Sequence, residues 1–265
     1  MAANVEDLYP LGHPEAEQGR LDLQSRIHDR PGLREVLAGR RAVLDLGCGI
    51  GSNVPLLRSI EPGIDYTGID FGDQAIADAK AKFPGERFEV MDATAMSLAD
   101  ESFDFVFANL VFWAIGRDFR AAVAEAYRVL KPGGVLYSFE PDGKTLTFYP
   151  PKPAIESAIA LWETAMQRQG PDPFVGRKVN NAAQEAGFGK IDTFLYPKIS
   201  VGTDPDGYRA AAKNLSGVYL GPGAKFLGLD DNDPKWMDAQ AQFAQCEPGD
   251  LILESYYVNL ATRQG

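Results

Sequence analysis

The segment Asp45-Leu46-Gly47-Cys48-Gly49-Ile50-Gly51 sets three glycines at alternate positions directly after a short apolar run. Glycine lets the backbone pass close to a ligand, and loop amides with the start of a following helix suit an anionic group. Two further acids end the next two apolar runs. Asp70, after Tyr66-Thr67-Gly68-Ile69, is placed to accept hydrogen bonds from ribose hydroxyls, and Asp92, after Phe88-Glu89-Val90-Met91, from an adenine amino group. Asn109 closes a fourth run. The loop competes with the nicotinamide dinucleotide fingerprint, whose third glycine lies three residues after the second; Ser52 stands there instead. Asp45 disfavours a pyrophosphate and suits a ligand with a primary ammonium. Cys48 reads as a small buried hydrophobe with at most a backbone contact.

These residues need an α/β framework to bring them to one edge. Ala42–Leu46 reads as a strand and 52–60 as a helix. The alternation continues with strand 65–69, helix 72–82, strands 87–91 and 103–108, helix 119–130 and strand 135–139. Strands separated by single helices imply a parallel sheet covered on both faces, with ligands at its carboxyl edge. Lys131-Pro132-Gly133-Gly134 stops a helix and turns the chain into the next strand. Beyond Glu140, prolines lead into an outer helix over 154–169, a helix over 176–186, a strand over 190–196 and a last strand over 251–261. The stretch of about 200–250 between these two strands exceeds what a hairpin needs and reads as an ordered insertion with a helix over 208–220. The acidic run 230–233 lacks the glycine and terminal glutamate of a calcium loop and reads as a solvated turn, so no metal site is expected. Residues 1–40 form a helical arm outside the sheet, and 41–265 form the main domain.

Taken together, the Asp45 to Gly51 loop, Gly68-Ile69-Asp70, Asp92-Ala93, Phe103 to Asn109 and Val129-Leu130-Lys131-Pro132-Gly133-Gly134 resemble the class I S-adenosylmethionine-dependent methyltransferases over roughly residues 41–141. The resemblance implies a doubly wound, Rossmann-like, mostly parallel seven-stranded sheet with its last strand antiparallel. It implies S-adenosylmethionine as cofactor, with the methionine part over Gly47, Cys48, Gly49 and Gly51, the ribose on Asp70, and the adenine near Asp92, Ala93 and Phe71. Asp45 and Asn109 complete this expected cofactor wall. The arm and the insertion would then form a lid. Asn109 is followed by Leu110, Val111 and Phe112, which departs from the acid-or-asparagine, double-proline, aromatic signature of amino-methyltransferases.

The balance of 26 basic against 37 acidic residues gives a net charge of −11, which disfavours nucleic acid and anionic lipid surfaces as partners. Two cysteines, no apolar signal core in the first ten residues and no apolar stretch of bilayer length point to a cytoplasmic protein. A small-molecule acceptor is expected. Aromatics of the arm and outer segments (Tyr9, Phe148, Tyr149, Trp162, Tyr208, Tyr219, Phe226, Trp236) suggest that it is partly apolar. Tyr9 is a candidate for shaping the methyl site and His28, before His13, for a general base; each also reads as a plain surface or anchoring residue. Glu140 reads as lying near the acceptor or as binding a loop amide. Two rivals remain: a protein of this fold that binds the cofactor without methylating, and a nicotinamide-dependent oxidoreductase.

Overall fold

Leu44, Leu46, Val106 and Ala108 are buried on one side of the central strands, and Val43, Phe105 and Phe107 on the other. Both faces are covered, which is why these strands are unbroken apolar runs rather than alternating ones. The structure, a computed structural model, describes residues 30–220 and 233–265. Tyr9, His13, His28 and Phe226 therefore lie outside the described residues, as do most of the arm and the 221–232 part of the insertion.

In chain order the elements are α1 (Leu33–Leu37), β1 (Ala42–Leu46), α2 (Val54–Ile60), β2 (Asp65–Asp70), α3 (Asp73–Lys82), β3 (Arg87–Val90), β4 (Phe103–Asn109), α4 (Phe112–Ile115), α5 (Phe119–Val129) and β5 (Leu130–Pro141). There follow β6 (Thr147–Tyr149), α6 (Pro153–Gln169), α7 (Val179–Ala186), β7 (Lys190–Val201), α8 (Pro205–Tyr219), α9 (Pro234–Ala244) and β8 (Leu251–Thr262). The sheet runs β3-β2-β1-β4-β5-β8 with β7 beyond β8. The first five strands are parallel and β8 is antiparallel to both its neighbours. This is the expected doubly wound, mostly parallel arrangement.

Three details differ from expectation. The sheet has eight strands rather than seven, because the short β6 pairs with Leu251 to Leu253 and prolongs the line of β5 beside β8. β5 begins at Leu130, since Lys131 to Gly134 form an irregularity inside the strand rather than a turn ahead of it, with Gly133 at φ 78°. β7 extends to Val201, five residues past the expected end, because it pairs with β8 along that strand's whole length.

The described insertion helices α8 and α9 pack on α6, and Trp162, Tyr208, Tyr219, Trp236, Phe148 and Phe243 form this layer's own core. Trp162 meets Tyr219 edge-on at 4.9 Å, and Phe148 meets Phe243 at 6.0 Å. Most of the aromatics taken as a supply for an acceptor pocket are thus used to hold three helices together, and Tyr149 is exposed. Asp233 ends the acidic run as the cap of α9, accepting from the Lys235 amide. Among the described residues no helix is long and apolar enough to cross a membrane. Trp162→Ala is expected to lower stability by about 3–5 kcal/mol through the cavity it leaves, measured by chemical denaturation. A loss under about 0.5 kcal/mol, as for a surface site, would contradict this packing.

Candidate functional site

The ends of β1, β2 and β4 converge on the glycine loop. Asp45 is fully buried; the Tyr66 hydroxyl donates to its Oδ2 at 2.8 Å, and Asn53 Nδ2 lies 3.3 Å from both oxygens. Burial pushes the Asp45 carboxyl up to about 7, against the downward pull of these two donors. Asn53 continues the chain of contacts to Asn109 Nδ2 at 3.4 Å, and Asn109 Oδ1 accepts from Arg30 Nε at 2.7 Å. The Arg30 guanidinium also sits 4.5 Å from the Phe139 ring centroid.

The glycines of the loop serve different needs. Gly47, at φ 70°, lies against Val111, whose Cγ2 is 2.1 Å from where a Cβ would stand. Gly49, at φ 52°, has no atom of the described residues within 4 Å of that point. At Gly51 the neighbours are Phe83 and Phe88. Cys48 is buried, its thiol is pushed well up by burial, and its amide donates to the Ile69 carbonyl at 2.9 Å.

Asp70 ties the loop to the next turn: it accepts from the amides of Gly49 and Gly72, each at 2.9 Å. The Met91 amide donates to the Asp70 carbonyl, which carries the chain from β3 past Phe71 and brings Asp92 and Ala93 to the same edge. Phe71 is 41% exposed. Asp92 is exposed and accepts from the Thr94 amide and hydroxyl at 2.8 and 2.7 Å. Asp45, Gly47, Cys48, Gly49, Gly51, Asp70 and Asn109 are thus linked through bonds and packing, while Phe71, Asp92 and Ala93 form an outer flank. Tyr9 and His28 lie outside the described residues.

Beside β4 the chain turns through Leu110 at φ 58°, a left-handed conformation that costs energy for a leucine. Glu140 holds this turn: its buried carboxyl accepts from the amides of Val111, Phe112 and Trp113 at 2.9, 2.8 and 3.3 Å. Its role is the loop-amide one. Burial pushes Glu140 up to about 8 in spite of those amides. Sequence reasoning missed Arg30, Asn53 and Tyr66. Asn53 carried a signal in lying at the start of the helix after the loop, and Tyr66 in preceding Gly68, where a Cβ would come 2.9 Å from its hydroxyl. It also missed Glu254, a buried acid on β8 that accepts from Tyr256 Oη at 2.8 Å and lies 3.5 Å from Lys198 Nζ. Tyr256 stacks on Phe139 at 4.6 Å.

Because the Glu140 carboxyl is raised in the folded state, the native protein binds more protons than the unfolded chain between about pH 4.5 and 8, so its contribution to stability falls as pH rises through that window. Glu140→Gln, which keeps a carbonyl oxygen for the Val111 and Phe112 amides, is expected to flatten the decline of melting temperature with pH. An unchanged slope would mean that Glu140 is ionised throughout.

Residues 44–138 match the family model described as a methyltransferase domain. The chain is 32% identical over 147 residues to the ubiquinone/menaquinone biosynthesis C-methyltransferase UbiE of Desulfotalea psychrophila, covering 51% of this chain and 59% of that protein. It is 37% identical over 118 residues to the malonyl-[acyl-carrier protein] O-methyltransferase of Enterobacter lignolyticus, covering 43% and 45%. The matches thus span about half the length of these curated relatives. A crystal structure of phosphoethanolamine N-methyltransferase 2 from Haemonchus contortus superposes with a TM-score of 0.53 at 17% identity, covering 94% of this chain and 53% of that one, and shows the fold alone. With its matched segment spanning the glycine loop and all of β2 to β4, the chain carries a class I S-adenosylmethionine-dependent methyltransferase domain.

Proposed function

We propose that the protein transfers the methyl group of S-adenosylmethionine to an O, N, S or C nucleophile of a small, partly apolar metabolite in the cytoplasm. The observation that carries this reading is the hydrogen-bonded edge in which Asp70 grips the glycine loop and Asn109 is tied through Asn53 to Asp45. The residues present fit the cofactor: at Gly49 no atom of the described residues lies within 4 Å of where a Cβ would stand, and acids stand at three successive strand ends. Gly47 to Gly51 would carry the methionine part, Asp45 its ammonium, Asp70 the ribose, and Phe71, Asp92 and Ala93 the adenine. When bound, the cofactor supplies an electrophilic sulfonium methyl.

The work left to the chain is to align the nucleophile, exclude water and, for a protonated acceptor, remove a proton. The acceptor would lie over the ends of β4, β5 and β8, below the helical layer. Trp113, which faces Trp162 of α6 at 6.3 Å, and the Phe139–Tyr256 stack offer apolar walls there, and Glu254 offers a polar group. Tyr9 and His28 are the groups proposed for shaping the methyl site and taking a proton. The relatives named above methylate carbon in one case and oxygen in the other, by their names, so the acceptor's class and not its reacting atom is supported.

Native mass spectrometry with added S-adenosylmethionine, followed by detection of S-adenosylhomocysteine on incubation with candidate acceptors, tests the reading. Binding without turnover of any acceptor would favour a non-methylating role, and binding of a nicotinamide dinucleotide instead would overturn the cofactor assignment. Asp70→Ala is expected to weaken S-adenosylmethionine binding by about 1.5–3 kcal/mol, roughly ten- to hundredfold, by calorimetric titration. Unchanged affinity would place the ribose elsewhere.

A further inference from the structure

Asp45 is a carboxyl with no exposed surface, and the side chains hydrogen-bonded to it, Tyr66 and Asn53, are both uncharged. An isolated carboxylate in such surroundings is costly, and the usual outcome is that the group keeps its proton until an opposite charge arrives. The groups facing it from each neighbouring element reinforce this. From β2 come the Tyr66 phenol and the Asp70 carboxylate, from the glycine loop the Cys48 thiol, from the start of α2 Asn53, and beyond it at the end of β4 Asn109. Among the described residues, the cation Arg30 is joined to Asp45 through the amide side chains of Asn109 and Asn53.

Resting on the function proposed above, we propose that Asp45 releases its proton when the ammonium of the cofactor's methionine part docks beside the glycine loop, so that cofactor binding is coupled to proton release, and that Tyr66 is the positioning residue that aims this carboxyl. In the step the O–H bond of the Asp45 carboxyl breaks, the proton passes to solvent, and the resulting carboxylate faces an ammonium that keeps all its protons. No oxidant or second substrate is required. The glycine at position 68 makes the arrangement possible, because a Cβ there would stand 2.8 Å from Cys48 Sγ and 2.9 Å from Tyr66 Oη. A larger residue would push the phenol off Asp45. Burial holds the Asp45 carboxyl at about 7 in the free protein, within the range where a docking cation can change its state.

The test is calorimetric titration with S-adenosylhomocysteine, which carries the same ammonium, at several pH values and in two buffers of different ionisation enthalpy, giving the number of protons exchanged per ligand bound. For a group titrating near 7, release of about 0.9 proton is expected near pH 6, falling to about 0.1 near pH 8, with affinity rising about tenfold between them. Asp45→Asn is expected to abolish the release. Tyr66→Phe, which removes one donor to the carboxylate and changes nothing else in size, is expected to keep the release but move its midpoint upward, and it serves where Asp45→Asn fails to fold. Normal binding with no proton release near pH 6, or release that Tyr66→Phe leaves at the same midpoint, would overturn the inference while leaving the proposed function standing. Failure of the wild-type protein to bind the ligand at any pH would overturn both.

Discussion

Placing a carboxyl at the buried end of the central strand is the constraint around which this site is organised. Asp45 cannot be solvated there, so its oxygens must be met by donors from the chain itself. Tyr66 supplies one from β2 and Asn53 one from the start of α2. Asn53 in turn is bound by Asn109 at the end of β4, and Asn109 by Arg30. One buried acid thereby fixes the mutual placement of the ends of β1 and β4, the neighbouring strand β2, the start of α2 and Arg30. The glycine loop closes over this arrangement, with Gly47 pressed against Val111 and no atom of the described residues within 4 Å of where a Cβ would stand at Gly49.

The other acids of the carboxyl edge work through backbone amides. Asp70 takes the amides of Gly49 and Gly72 and so ties the first βα turn to the second. Glu140 takes three successive amides at the start of α4 and holds Leu110 in a conformation that leucine does not adopt readily. A strand end exposes backbone groups that lack ladder partners, and a carboxylate accepts several of them at once. The same residues therefore shape the edge and line it with hydrogen-bond acceptors, which suits a ligand carrying an ammonium and ribose hydroxyls.

The sheet was legible because its strands are short, apolar and bounded by glycines and acids: β1 has the expected limits, and β2 to β4 differ by a residue at one end. Legibility ended where pairing rather than local pattern sets the limits. The outer half of β7 carries exposed Leu195 and Ile199 and exists as strand because β8 lies beside it. β6, three residues before Pro150, has too little pattern to announce itself. In the site, Asp45, Asp70 and Asn109 were visible from their places after apolar runs. Arg30 was not, since only the folded chain brings it beside residue 109, and the aromatics of α6, α8 and α9 pointed to a pocket because composition cannot tell a pocket wall from a helical core.

Val201 and Leu251 are register partners at the end of the β7–β8 pair where residues 202–250 connect the two strands. The whole segment between them therefore leaves and re-enters the sheet about 5 Å apart, the spacing of neighbouring strands. A loop whose ends are already held together can change length at small entropic cost, about 0.6 kcal/mol for each doubling. Closure thus sets little limit on the length of residues 202–250, while α8 and α9 within them cover α6 and Ile252 of β8. Evolution or design can therefore lengthen or shorten this segment while the order and register of the strands stay as they are.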